Sequence, residues 1–247
     1  MTFRTKTVDW SPPKKFVVFL DIMGFKDLVA KNPHGKVFEI MEKLGSAQDF
    51  IQSAINMDLD LDDYKEQGIY TTSFSDSIMV FSNDDTMRSL ELVTSASTYI
   101  MSEGFKMGIP MKGALAHGML SVDLVKHIFF GQPIIDAYLL QEDLGYYGIV
   151  CHNSIEAYLS STRISSILQP FMKEVPTPIK NVGDVQHLNV IWFDALKAAY
   201  VVETEINDQF QKLIGVQKTK TSGVPRRYVD NTVKIFELMY PQWKKLA

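Results

Sequence analysis

Cysteine is almost missing from these 247 residues: Cys151 stands alone, which excludes an internal disulfide framework and a cysteine-rich zinc site. Charge of one sign is not in excess either. Lys and Arg total 25 against 29 Asp and Glu, a formal net charge of -4, so the chain lacks the basic excess of a general nucleic-acid binder, although one local pocket can be basic on an acidic chain. No apolar run reaches the ~18 residues needed to span a bilayer. The opening MTFRTKTVDWSPPKKF has no apolar stretch of signal-peptide length, and a cytoplasmic protein with no membrane partner is expected. Also missing are a Walker loop, a Gly-x-Gly-x-x-Gly turn and a serine nucleophile elbow. His34, His117, His127, His152 and His187 show no metal-ligand spacing. What remains is 46% hydrophobic and 22% charged, a composition and length suited to a well-packed core.

After a polar lead-in over residues 1–15, Phe16-Val17-Val18-Phe19-Leu20 reads as a strand buried on both faces, ending at Asp21. Apolar positions at helical spacing over residues 35–56 and 86–103 predict two amphipathic helices. Between them, the acidic stretch Asp58–Asp63 reads as a solvated loop, without the glycine and closing Glu of an EF-hand. Ile69–Phe74 and Ile78–Phe81 read as strands joined tightly around Ser75-Asp76-Ser77. Lys112–Gly118, Ile149–Cys151 and Val185–Phe193 read as further strands, with helices over 131–144, from Asn153 and after Asp194. A basic loop from Lys218 to Arg227 is expected to precede a last helix reaching Tyr240. The chain has no repeat or low-complexity linker, and its pattern predicts a single α+β domain over 1–247.

Two acidic residues sit where chemistry is easily placed. Asp21 ends one strand and Asp76 occupies the tip between two others, so neighbouring strands would bring both carboxylates to one sheet edge. Such a pair suits Mg²⁺, which takes hard oxygen ligands and keeps sites for water and substrate phosphates. Gly24, Phe25 and Lys26 follow at the expected start of a helix, where free N–H groups receive phosphate oxygens. Helix capping and a hairpin turn are the ordinary structural roles for the same two aspartates.

The local wording separates these readings. Phe19-Leu20-Asp21-Ile22-Met23-Gly24-Phe25 resembles the first metal motif of class III nucleotidyl cyclases. Phe74-Ser75-Asp76-Ser77-Ile78-Met79-Val80-Phe81 resembles their second, with Ser75 in place of glycine and the two aspartates 55 residues apart. Lys112-Gly113-Ala114-Leu115-Ala116-His117-Gly118, Phe130–Ala137 and Pro178-Ile179-Lys180-Asn181-Val182-Gly183 resemble three later family segments in the right order, the last being a loop that supplies a phosphate-binding lysine. The resemblance covers about residues 15–195 and leaves 195–247 as a helical elaboration.

The resemblance implies a cyclase homology domain, a ferredoxin-like βαββαβ core with extra strands and helices, working as a head-to-tail homodimer. It implies that Asp21, Asp76 and the Ile22 carbonyl hold two Mg²⁺ or Mn²⁺ ions. A nucleoside triphosphate would lose pyrophosphate as its 3′-hydroxyl closes on the α-phosphate. Two departures from the family stand out. Its transition-state Asn and Arg fall on Ile135 and Leu139, leaving Lys180 as the first replacement, then Lys112, then Arg226 and Arg227. Its adenine-reading Lys and Asp fall on Tyr70 and Ile128, and a bulky Tyr70 favours a smaller base. Both departures resemble the stand-alone Pycsar pyrimidine cyclases of anti-phage defence. That subgroup implies UTP or CTP as substrate and a cyclic product acting on a separate effector. A degenerate nucleotide-binding or dimerisation module, and an adenylate or guanylate cyclase with an unusual base pocket, are the alternatives.

Overall fold

In the computed structural model, the described residues are 13–57, 68–123, 126–196 and 204–243; the acidic stretch at 58–63 lies outside them. The uninterrupted apolar run becomes the centre of the sheet. Strand β1 (Lys14–Ile22) has Phe16 through Leu20 almost inaccessible on both faces. At its end Gly24 turns the chain with φ +75°, a left-handed conformation that suits a residue without a Cβ. Helices α1 (Phe25–Lys31) and α2 (His34–Met57) follow. The hairpin of β2 (Ile69–Phe74) and β3 (Ser77–Ser82) comes next, then α3 (Met87–Lys106), whose first turn is capped by Thr86 accepting from the Ser89 N–H. Strand β4 (Met111–Met119) returns beside β1, and β5 (Ser121–Asp123) pairs with β6 (Ile128–Phe130) in a small separate ribbon. The chain continues through α4 (Gln132–Asp143), β7 (Ile149–Cys151), α5 (Asn153–Ser161), β8 (Met172–Ile179), β9 (Gly183–Val190), α6 (Thr204–Lys220) and α7 (Gly223–Met239).

The main sheet has the order β2-β3-β1-β4-β7-β9-β8, antiparallel except for the parallel β4–β7 pair. Alternation along β1 assigns its two faces. Val18, Leu20 and Ile22 share one face with Ile78 and Val80 and enter the main core with Leu90, Val93 and Ile100 of α3. Val17, Phe19 and Asp21 share the other face, where α4 packs and the Phe19 and Tyr138 rings meet edge to face at 5.5 Å. The architecture is mixed α+β, as the pattern of elements predicts.

Several boundaries differ from expectation. Lys14 and Lys15 belong to β1 rather than to the lead-in. The late strand stops at Val190, and Phe193 opens a 3-10 turn instead of closing it. Strand β8 is unforeseen because Pro176 and Pro178 interrupt its pattern; it lies at the sheet edge, where a residue without an N–H is tolerated. The expected basic loop is helical at both ends. Lys218 and Lys220 finish α6, Arg226 and Arg227 lie in α7, and only Thr221 and Ser222 intervene.

Candidate active site

Antiparallel pairing carries Asp21 to the end of β1, opposite Ser77 of β3 and Lys112 of β4. Asp76 sits in the two-residue turn just before Ser77, and the Ile22 N–H donates to the Asp76 carbonyl at 2.8 Å. The backbone thereby fastens both aspartates to one sheet end. Gly113 allows β4 to close tightly here: an added Cβ would lie 2.6 Å from the Phe19 carbonyl oxygen. Ser75, which replaces the family's glycine, has φ +57°. A side chain is strained in that left-handed conformation by about 1 kcal/mol. We therefore expect Ser75→Gly to raise the melting temperature by about 2–4 °C, measurable by thermal denaturation; a drop would show that the serine side chain makes a compensating contact.

Lys112 is 4% exposed, and its ammonium donates to the Gln141 carbonyl at 2.7 Å and the Glu142 carbonyl at 3.0 Å. These are carbonyls of the last turn of α4, which lack partners within the helix and sit at its negative end. The lysine thus ties α4 to β4. Lys180 arrives from the β8–β9 turn: its N–H donates to the Asp143 carbonyl at 2.7 Å, and Ile179 bridges to Leu144.

The charges respond to one another. Burial holds the Asp21 carboxyl above the usual carboxylate range; Asp76 and Glu142 raise it further, while Lys112 and Lys180 oppose them. Burial, then the neighbouring Lys180, lowers the Lys112 ammonium to about 8 despite Asp21. The unfolded chain keeps Lys112 protonated up to about 10.5, so between pH 8 and 10.5 it holds more protons than the folded chain. Stability contributed by this residue therefore rises with pH across that window and is lowest below it. In EDTA, wild type should gain about 1–3 kcal/mol on Lys112→Met between pH 7.5 and 10, read from urea unfolding of both proteins; a constant difference would sink this account.

Asp21, Asp76, Lys112 and Lys180 are thus brought together, and two groups with no signal of their own in the sequence join them. Glu142 acts on both Asp21 and Lys112, and its charge also raises the phenol of Tyr138, one turn earlier on α4. Helical spacing puts these two on one face, but only the packing of α4 on Phe19 says which face meets the site. Gly24, Phe25 and Lys26 form the turn and first residues of α1, with Gly24 and Lys26 exposed. Tyr70 packs on Phe81 at 5.6 Å within an apolar cluster holding Val17 and Leu120. It shares the face of Asp21 but lies two strands across and four residues along the sheet, roughly 16 Å away. Arg226 donates to Asp230 and to the Lys218 carbonyl, Arg227 is exposed, and neither is among the charges that act on Asp21. Ile128 lies on β6, whereas Ile135 and Leu139 project from the open side of α4.

No three His, Cys, Asp or Glu side chains converge as a metal cluster among the described residues. Two carboxylates, one held above its usual range by burial and by the other's charge, nevertheless fit a cation that takes one or two protein oxygens and completes its shell with water and phosphate. Asp21, Asp76 and the backbone carbonyl of Ile22 are the groups available to hold Mg²⁺ or Mn²⁺.

No family model and no curated protein sequence matches the chain. Solved structures do. The catalytic core of a rhodopsin-guanylyl cyclase with converted specificity, in complex with ATPαS, aligns with a TM-score of 0.50 and 13% identity over 73% of this chain and 96% of that one. A bacterial light-regulated adenylyl cyclase aligns at 0.47 and 14% over 81% and 98%. The adenylyl cyclase CyaB from Pseudomonas aeruginosa aligns at 0.47 and 13% over 72% and 93%. The chain has the mixed α+β fold of class III cyclase catalytic domains. No helix among the described residues is long and apolar enough to cross a membrane.

Proposed function

We propose that this protein is a nucleotide cyclase, converting UTP or CTP to the 3′,5′-cyclic mononucleotide and pyrophosphate. The observation that carries the reading is the meeting of Asp21 and Asp76 at one open sheet end beside Lys112 and Lys180. Mg²⁺ or Mn²⁺, two ions per site held by Asp21, Asp76 and the Ile22 carbonyl, would supply charge neutralisation for a triphosphate. In the reaction the ribose 3′-oxygen, giving up its proton to solvent, bonds to the α-phosphorus as the bond to the bridging oxygen breaks and pyrophosphate leaves. Lys180, the more exposed lysine, is assigned to the phosphoryl oxygens; Lys112, committed to the α4 carbonyls, contributes charge from behind. Gly24, Phe25, Lys26 and Ser75 border the same end and are assigned to substrate, whereas Arg226 and Arg227 lose support through their placement on α7.

The pyrimidine preference is supported by Tyr70 on the same sheet face and by the absence of the adenine-reading pair. A role in anti-phage defence, with the product acting on a separate effector in the cytoplasm, is supported by the sequence resemblance. Homodimerisation is supported by exposed apolar side chains along the α4 side. The test is incubation with each labelled nucleoside triphosphate and Mn²⁺, followed by separation of products. Cyclic UMP or cyclic CMP is expected; preference for ATP or GTP would overturn the pyrimidine assignment. A second reading, a nucleotide-binding module without turnover, is favoured by Ile135 and Leu139, which have no side-chain donor. Tight binding by calorimetry with no pyrophosphate release would select it.

A further inference from the structure

We propose that Tyr138 and Glu142 together bind the 2′-hydroxyl of the nucleotide's ribose and make the site selective against 2′-deoxynucleotides. This rests on the nucleotide reading above. Ile135, Tyr138, Leu139 and Glu142 lie at helical spacing on one stripe of α4. On that stripe Ile135 and Leu139 are apolar, and Tyr138 carries the hydroxyl. Its ring is fixed edge to face on Phe19 at 5.5 Å, two residues before Asp21 on the same strand face. One turn further on, four residues along the same stripe, stands the exposed Glu142 carboxylate, the spacing at which helix side chains are neighbours. Lys112 holds the Glu142 backbone in place at 3.0 Å. The Tyr138 ring remains 42% exposed, so the pair faces outward at the rim of the site.

The chemistry of the pair selects its partner. A phenol donates and a carboxylate accepts, so the complementary group both accepts and donates. A phosphate oxygen cannot donate, and the Glu142 carboxylate repels it; a sugar hydroxyl both accepts and donates. The ribose is also the part of a nucleotide bonded nearest the α-phosphate, so a group beside Asp21 meets the sugar before the base. Since the 3′-hydroxyl is consumed in the proposed reaction, the 2′-hydroxyl is the one left for recognition. A site built to bond a hydroxyl rejects the analogue lacking it, because its own polar groups lose their partner.

Calorimetry with Ca²⁺ tests this using UTP, 2′-deoxy-UTP, CTP and 2′-deoxy-CTP on wild type, Tyr138→Phe and Glu142→Gln. Wild type should bind the ribonucleotide about 10- to 100-fold more tightly than its deoxy partner. Both variants should lose most of that ratio at a nearly unchanged melting temperature; the ratio, not either affinity alone, is the readout, because removing the Glu142 charge shifts the binding of all four triphosphates together. An unchanged ratio in both variants, or equal binding of ribo and deoxy forms by wild type, overturns the assignment. Loss of the ratio in a protein that releases no pyrophosphate leaves it standing and removes the cyclase reading. Turnover with an unchanged ratio does the reverse, and no binding of any of the four removes both.

Discussion

Asp21→Asn and Asp76→Asn should each lower pyrophosphate release by about 10³-fold or more, while Asp21→Asn raises the melting temperature of the metal-free protein at neutral pH. The two readouts move apart for one reason. Asp21 is carried into a half-buried position beside Asp76, and both burial and the second carboxylate work against its charge. For an acid whose folded pKa lies above its unfolded value, stability falls as pH rises through that window, and the ionised group continues to cost stability above it. An amide of the same shape removes that cost along with the ability to hold a divalent cation. The melting gain of Asp21→Asn should therefore shrink when wild type is saturated with Mn²⁺, which stabilises the folded state by mass action. A purely structural aspartate, capping a helix or closing a turn, would behave differently, since its asparagine variant would melt at or below wild type with or without metal. Undiminished turnover in both variants would sink the assignment of the site.

Local pattern made much of this arrangement readable. Five consecutive apolar residues ending at Asp21 announce a strand buried on both faces, and Ser-Asp between two apolar runs announces a hairpin tip. Their meeting at one edge follows once β1 and β3 pair. Other features depend on tertiary context. Lys112 belongs to the residue type least expected inside, and only the α4 carbonyls it meets explain its burial. Strand β8, broken by Pro176 and Pro178, is recognisable only from its position at the sheet edge. The basic residues around Lys218 and Arg226 read as a loop because their charge hid two helix ends. Tyr138 and Glu142 gained their significance from the orientation of one helix, which no local spacing encodes.

The same helix carries the second large effect, since Ile135→Asp with Leu139→Asp should abolish both association and turnover. Ile135 is 52% exposed and Leu139 55%, and they flank Tyr138 on the open side of α4. Phe130 is also exposed just before α4, and Phe74, 85% exposed at the end of β2, lies on the Asp21 face. Val182, at 71%, belongs to the turn that Lys180 ties to the α4 end. A monomer rarely leaves large side chains of this kind together around a charged site, whereas a self-complementary interface uses them. In the proposed head-to-tail pair these residues seal each site against the partner's α4 face. Two aspartates there would bury unpaired charge in both copies, weakening association by about 100-fold or more. Sedimentation velocity over a concentration series should show a dimer for wild type and a monomer for the variant, with an unchanged melting profile for the monomer fold. Specific activity of wild type should fall on dilution in step with dissociation. Full activity in a monomer, or a double variant that still dimerises as tightly, would move the interface away from α4 and leave these exposed side chains to another partner.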